Sequence, residues 1–245
     1  MTYCVGLNLR DGVVMLADSR TNAGVDSIAT FRKMHIWEKA GERVLAICTA
    51  GNLSLSQSVI ALLRDGFTDH EGREHNLMTA TRMFEAAGVV GAAIREVARR
   101  DGEALKAQGV EPSLSMLLGG QIIGRPTQLY MLYYAGNFIR ATEETPFLQI
   151  GEIKYGKPIL DRVIRPESSL TEAAKCALVS MDSTLRSNIS VGLPLDLVVI
   201  RRDEFRIALQ RRIEADDPYF NDIRGRWGEG LRSVFATVPD PDWAL

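Results

Sequence analysis

The amino-acid sequence predicts an α+β fold in which two mostly antiparallel sheets lie face to face between layers of helix. Three observations point to it. The chain opens with strand-like segments and no helix between the first two, which argues against a parallel, doubly wound start. The apolar period then changes from about 2 to about 3.6 and back along the chain. The segments follow one another as strands, two helices, strands, one or two helices and strands, an order that suits two sheets sharing an interior.

In "MTYCVGLNL", residues 1–9, Tyr3, Val5, Leu7 and Leu9 share one parity and Cys4, Gly6 and Asn8 the other, which is the alternation of a strand. The turn signal Arg10-Asp11-Gly12 leads into "VVMLA" (13–17), its expected hairpin partner. "ADSRTNAGVDS" interrupts the apolar run; a third strand is expected over 32–38, and "RVLAICTAG" (43–51) reads as a fourth that ends on small residues. Helical spacing then marks Leu55, Val59, Leu62 and Leu63, followed by Met83, Phe84, Ala87, Val90, Ile94 and Val97. A second strand group runs through "SLSMLLGGQI", "TQLYMLYYAGNF" and "FLQIGE". A helical region begins near Lys157 and continues through Ala173, Ala177, Met181 and Leu185, and "LDLVVIRRDEFRIAL" reads as a closing hairpin about Arg202 and Asp203. A late helix over Pro218–Phe235 has Pro218 in its first turn and Ile223, Trp227, Leu231 and Val234 along one side. Gly225, Gly228 and Gly230 weaken it, so packing within or between subunits is expected to hold it.

No linker or repeat divides the 245 residues, so one domain over 1–245 is expected, with 216–245 as a C-terminal extension. An apolar content of 46% can bury a core without metals or crosslinks. A net charge of -2 gives no reason to expect a nucleic-acid surface, and no apolar run approaches the length of about 18 residues that a spanning helix needs. Cys4, Cys48 and Cys176 lack a CxxC spacing and fit a reducing, cytoplasmic setting better than a disulfide framework. His35, His70 and His75 form no metal-ligand pattern, and His70 and His75, flanking "EGRE", are expected at the surface. Neither glycine-rich loop has phosphate-loop spacing, so no metal and no cofactor is expected.

The chemistry-bearing feature is Thr2. The expectation is that no leader precedes it and that removal of Met1 makes it the N-terminus. An N-terminal threonine carries a hydroxyl nucleophile and an α-amine whose ordinary pKa of roughly 7.7 makes it a usable base. Such a site needs a cation to favour the alkoxide and a carboxylate to orient that cation. Asp18 follows the second strand and Lys33 opens the third; a hairpin of the first two strands returns Asp18 to the end of Thr2, and Lys33 arrives there if the third strand pairs beside them. Gly51 ends the fourth strand, where an unhindered backbone N–H can face a developing oxyanion.

Taken in order, Thr2, "GVVMLADSRTNAG", "FRKMHI", "ICTAGN", "YYAGNF", "IGEIKYGK" and "LDLVVIRRD" resemble a proteasome β-type subunit, an N-terminal-nucleophile hydrolase. "MTYCVGLNL", "DSRTNAGVDSIATFRK" and "SNISVGLPLDL" look most like the Anbu (ancestral β-subunit) family within that group. The resemblance implies a four-layer αββα sandwich, Thr2 as nucleophile, Asp18 and Lys33 as its supporting charges and Gly51 as oxyanion donor. It sets Arg20 and Asn22 at the substrate-facing turn, Arg20 as a brace and Asn22 where the family usually has a threonine. It also implies a homo-oligomer: a ring, an open ring or a helical stack. Two departures stand out: Ala135 in "YYAGN" replaces a serine of the family's network, and Ser187 falls where its late carboxylate is expected.

The leading reading is a threonine-type hydrolase of peptides or other amides. The alternative is an assembly protein of the same fold with a weak, specialised or silent site. The segment after Ala215, with Trp227, Phe235 and Trp243, is expected to serve assembly.

Overall fold

A computed structural model describes residues 2–23 and 27–243, without the side chains of residues 22, 23 and 27. The alternation at the start becomes β1 (Tyr3–Leu9), which turns through Arg10 and Asp11 into β2 (Gly12–Asp18) with Cys4 opposite Ala17 and Leu9 opposite Gly12. The interrupted stretch is itself a short hairpin, β3 (Arg20–Ala23) and β4 (Ser27–Thr30). β5 (Met34–Lys39) and β6 (Arg43–Gly51) form the next one. Two helices follow, α1 (Leu53–Asp65), capped by the Asn52 side chain, and α2 (Met83–Ala107), with the small pair β7 (Phe67–Thr68) and β8 (Glu74–His75) between them. The middle of the chain supplies β9 (Leu114–Ile122), β10 (Gln128–Leu132), β11 (Phe138–Arg140) and β12 (Phe147–Gly151). The helical region from Lys157 divides into α3 (Lys157–Val163) and α4 (Leu170–Ser187), whose start is fixed by a reciprocal capping box of Ser169 and Glu172. β13 (Leu195–Arg201), β14 (Ile207–Ile213) and α5 (Pro218–Phe235) complete the chain.

One sheet has the order β12-β1-β2-β13-β14 and the other β11-β10-β9-β6-β5, with every neighbouring pair antiparallel. Alternation sends Val5, Leu7 and Leu16 to one face of the first sheet, where they meet Leu160 of α3, Ala177 and Met181 of α4 and Phe220 of α5. Cys4, Val13, Met15 and Ala17 face the other way, onto Ala46, Cys48 and Leu117 of the second sheet. The far side of that sheet, with Leu45, Ile47 and Leu118, is covered by Val59 of α1 and Val90 and Ile94 of α2. Three apolar cores in this sequence are what a helix, sheet, sheet, helix stack produces. Fully buried side chains such as Leu7, Leu16 and Leu45 each contribute roughly 1.5–3 kcal/mol through removal from water.

The structure departs from the sequence reading in three places. The third strand does not pair beside β2; β5 is the edge of the opposite sheet, so Lys33 reaches Asp18 across the gap between sheets. His75 is not a free surface residue: its ring stacks on Phe67 at 4.9 Å and its Nε2 lies 2.8 Å from Asp69 Oδ2. Trp227 lies partly buried against its own chain's core, whereas Phe235 and Trp243 are exposed.

Candidate active site

The β1–β2 hairpin brings Asp18 back to the first residues of β1, and the Tyr3 N–H donates to Asp18 Oδ1 at 3.0 Å. Lys33 Nζ donates to the same oxygen at 2.8 Å and to the Arg20 carbonyl at 2.6 Å, while Gly192 N–H donates to Asp18 Oδ2 at 3.2 Å. Asp18 is wholly buried and Lys33 nearly so. Burial pushes the Asp18 carboxyl above its ordinary range, opposed by the Lys33 charge and by the N–H groups of Tyr3 and Gly192. A buried ammonium, a buried carboxylate and the backbone beside Thr2 thus form one hydrogen-bonded unit. Cys4 and Cys48 lie against it from the inter-sheet core, and burial pushes the Cys4 thiol well up.

Thr2 is itself 8% exposed, and its carbonyl accepts the Glu152 N–H at 2.7 Å, one step beyond the pairing of Tyr3 with Gly151. Gly151 has φ +84°, and a Cβ there would collide with the Thr2 carbonyl, so only glycine allows β12 to approach this closely. In the next residue, the Tyr3 hydroxyl lies 2.5 Å from Ser180 Oγ of α4 and accepts from Gln149 Nε2 at 2.6 Å. The residue that follows the nucleophile candidate is therefore anchored to both neighbouring strands and to a helix.

Gly51, at the end of β6, has φ +109°, and a Cβ would run into the Ser113 carbonyl. Two residues earlier, Thr49 N–H donates to the Lys33 carbonyl at 2.9 Å and the Thr49 carbonyl takes the Cys4 thiol at 3.7 Å, which ties the β6 end to the Asp18–Lys33 unit. Arg20 Nη1 donates to the Ile189 carbonyl at 2.9 Å and its guanidinium covers Gly192 where a Cβ would otherwise sit, so it braces the α4–β13 connection. The Asn22 backbone pairs with Ile28; its side chain and Met1 lie outside the described residues. Next to Asn22, Thr21 Oγ1 is buried without a hydrogen-bond partner among the described residues.

Two residues that the sequence reading did not select stand at Thr2. Ala135 is exposed in the turn between β10 and β11, where neighbouring Gly136 lies on Gly91 of α2; the residue against Thr2 is Glu152. Ser187 is likewise exposed at the end of α4, while Asn188, 8% exposed, donates through Nδ2 to Glu152 Oε2 at 3.1 Å. The "IGE" of β12 carries a signal for Glu152, an acidic residue directly after a strand-ending glycine, but short motifs in one sequence do not reveal which strand flanks β1.

The sequence signature of proteasome subunits matches residues 2–200. Over nearly its whole length the chain also superimposes on Anbu (ancestral β-subunit) from Yersinia bercovieri, with a TM-score of 0.90, 48% identity and coverage of 99% of this chain and 100% of that one. The chain belongs to the proteasome family, in its Anbu branch. A second Anbu structure, the helical assembly of the Anbu complex from Pseudomonas aeruginosa, gives a TM-score of 0.89 and 48% identity, covering 98% of each chain. The proteasome subunit beta of Archaeoglobus fulgidus is 26% identical over 207 residues, 83% of this chain and 87% of its own. The Anbu likeness includes the residues after 200, beyond the reach of the general proteasome signature.

Proposed function

We propose that this Anbu-family chain is a threonine-type hydrolase of peptides or other amides, with Thr2 as nucleophile once Met1 is removed. The observation that carries the reading is the buried Asp18–Lys33 pair, hydrogen-bonded at 2.8 Å and held to the backbone N–H of Tyr3. Desolvation of two charges can outweigh their attraction, so such a pair is weak evidence for a purely stabilising role, and charges perturbed by burial cluster at functional sites; this one stands beside Thr2. In the proposed reaction, Thr2 Oγ attacks the scissile carbonyl carbon and its proton passes to the freed α-amine, directly or through water. The C–N bond breaks, the leaving amine takes that proton, and the acyl group remains as an ester on Oγ. Water deprotonated by the same amine then hydrolyses the ester and restores the hydroxyl. Lys33 favours ionisation of the hydroxyl, Asp18 holds Lys33, and the Gly51 N–H faces the oxyanion. Asn22 and the Arg20-braced turn line the substrate side, where an extended peptide can add as a strand.

The working form in this reading is a cytoplasmic homo-oligomer without nucleic-acid or membrane partners. The helical assembly of the Pseudomonas aeruginosa relative supports an oligomer. So does α5, where Leu231, Val234 and Phe235 are exposed and the helix buries only Phe220 and Ile223 fully. Residues 216–245 are the proposed assembly extension of a single domain. Among the described residues, no helix is long and apolar enough to cross a membrane. The function is tested by turnover of a broad library of quenched peptides and small amides. Cleavage that vanishes in Thr2→Ala supports the hydrolase; cleavage that survives the substitution removes Thr2 as the nucleophile, and a processed chain inert to the whole library moves the reading to an assembly protein.

A further inference from the structure

The carboxylate of Glu152 lies in an unusual position. It is 8% exposed, and among the described residues its two oxygens accept only neutral donors: Lys154 N–H at 3.3 Å and Asn188 Nδ2 at 3.1 Å. It enters no ion pair among the described residues. A carboxylate offers about four acceptor directions, so roughly two remain open. Glutamate is seldom buried unless a cation accompanies it, because desolvation of the charge is costly. The backbone N–H of this same residue is bonded to the carbonyl of Thr2, the residue whose α-amine Met1 removal would free.

We propose that Glu152, held by Asn188, is the counter-ion that receives the freed α-ammonium of Thr2, a positioning residue on the opposite side of β1 from Asp18 and Lys33. The inference rests on Thr2 becoming the N-terminus. Asp18 cannot fill the part, since its oxygens already accept Lys33 Nζ, Tyr3 N–H and Gly192 N–H and its charge is matched. Thr2 directly precedes β1, which runs between β12, leading into Glu152, and β2, ending in Asp18. One flanking pair thus serves the hydroxyl and the other the amine. Among the described residues, the other titratable groups near Thr2 are Lys33, the Tyr3 phenol, whose oxygen is taken up by Ser180 and Gln149, and the Cys4 and Cys48 thiols in the inter-sheet core, with Lys154 in the turn after β12. Among the described residues, only Glu152 combines a buried carboxylate outside any ion pair with a backbone bond to Thr2.

The chemistry follows from the sign of the charge. A carboxylate within a few ångströms of an amine raises the amine's pKa by about 1–3 units from its ordinary value of roughly 7.7. The amine becomes a stronger base held in a fixed place, and the free-base form is scarcer at neutral pH. Processing of Met1 also gives Glu152 its missing cation, so the mature chain gains an interaction that the Met1-retaining chain lacks.

The test measures the amine directly and does not depend on turnover. Full-length chain released with Thr2 at its N-terminus from a cleavable fusion is treated with cyanate at a series of pH values. Carbamylation of the peptide Thr2–Arg10 is then followed by mass spectrometry. The expected result is a rate midpoint about a unit or more above the ordinary amine value in the parent and a downward shift in Glu152→Gln, with roughly tenfold faster carbamylation near pH 7. Glu152→Asp, which keeps the charge, should stay close to the parent. Equal midpoints in the parent and Glu152→Gln overturn the proposal, as does a Glu152→Asp chain that behaves like Glu152→Gln while its fold is intact by circular dichroism. A raised, Glu152-dependent midpoint in a chain that hydrolyses nothing upholds this inference and rejects the hydrolase; turnover with an unshifted midpoint does the reverse.

Discussion

Replacing Lys33 by methionine removes the cation from the most deeply buried charge pair among the described residues. Asp18 is 0% and Lys33 5% exposed, so little solvent screens the carboxylate left behind. Breaking a buried pair of this kind costs about 3–5 kcal/mol, equivalent to raising the Asp18 pKa by a further 2–4 units at about 1.4 kcal/mol per unit. The carboxyl is already displaced upward by burial, and Lys33 is the largest influence opposing that displacement. A group whose folded pKa exceeds its unfolded value of about 3.9 supplies stability that is complete below that value and disappears as pH rises through the folded pKa. Lys33→Met is therefore expected to cost little at low pH, where both chains hold Asp18 protonated, and the cost grows by about 1.4 kcal/mol per pH unit once pH passes the parent's own raised Asp18 pKa, levelling at about 3–5 kcal/mol once pH is above that of the variant. The assay is urea unfolding of parent and variant across about pH 4–8, followed by the fluorescence of buried Trp37. The double variant Asp18→Asn/Lys33→Met removes both charges and should recover most of the loss at neutral pH. A cost for Lys33→Met that is the same at every pH, or a double variant no more stable than the single one, refutes the reasoning.

Gly51→Ala forces a Cβ into the Ser113 carbonyl at φ +109°, so a loss of about 1–3 kcal/mol in unfolding free energy and of capture by electrophilic probes is expected; unchanged labelling would remove Gly51 from the site. His35 is lowered from 6.5 to about 4 by burial and the nearby charges of Arg64 and Arg32, so it supports stability above pH 6.5 and loses that support as pH falls towards 4, up to about 3 kcal/mol. His35→Gln should flatten the pH dependence of unfolding over that interval, and an unaltered slope would contradict the assignment. Phe235 is 80% exposed on α5, and Phe235→Glu is expected to shift the sedimentation profile to smaller species with no change in circular dichroism; an unchanged profile would place the assembly contacts elsewhere.

Much of this architecture was legible because local pattern and tertiary role coincide. The parity of Tyr3, Val5 and Leu7 against Cys4 sets which core each side chain joins, and the Gly12 turn sets the register that returns Asp18 to Thr2. Composition does not say which sheet a strand enters. A third strand beside β2 is one way to bring Lys33 to Asp18, yet β5 joins β6 at the edge of the second sheet, and Lys33 bridges the sheets from there. The same limit hid the surroundings of the N-terminus. Ala135 and Ser187 were placed at the site through short motifs, whereas the strand order sets β12 against β1 and so brings Glu152 and Asn188 to Thr2. A glycine that ends a strand and an acidic residue after it are common; the close approach to Thr2 that makes Gly151 obligatory exists only once the two strands pair.

The central claim, that Thr2 is a competent N-terminal nucleophile, is tested most directly by intact-mass analysis after exposure to an epoxyketone or β-lactone probe. One spectrum reports Met1 removal and covalent capture together. The account predicts a chain that starts at Thr2 and carries a single adduct mapped to Thr2, absent from Thr2→Ala. A chain that retains Met1, or a processed chain that forms no adduct with either probe class, would contradict it.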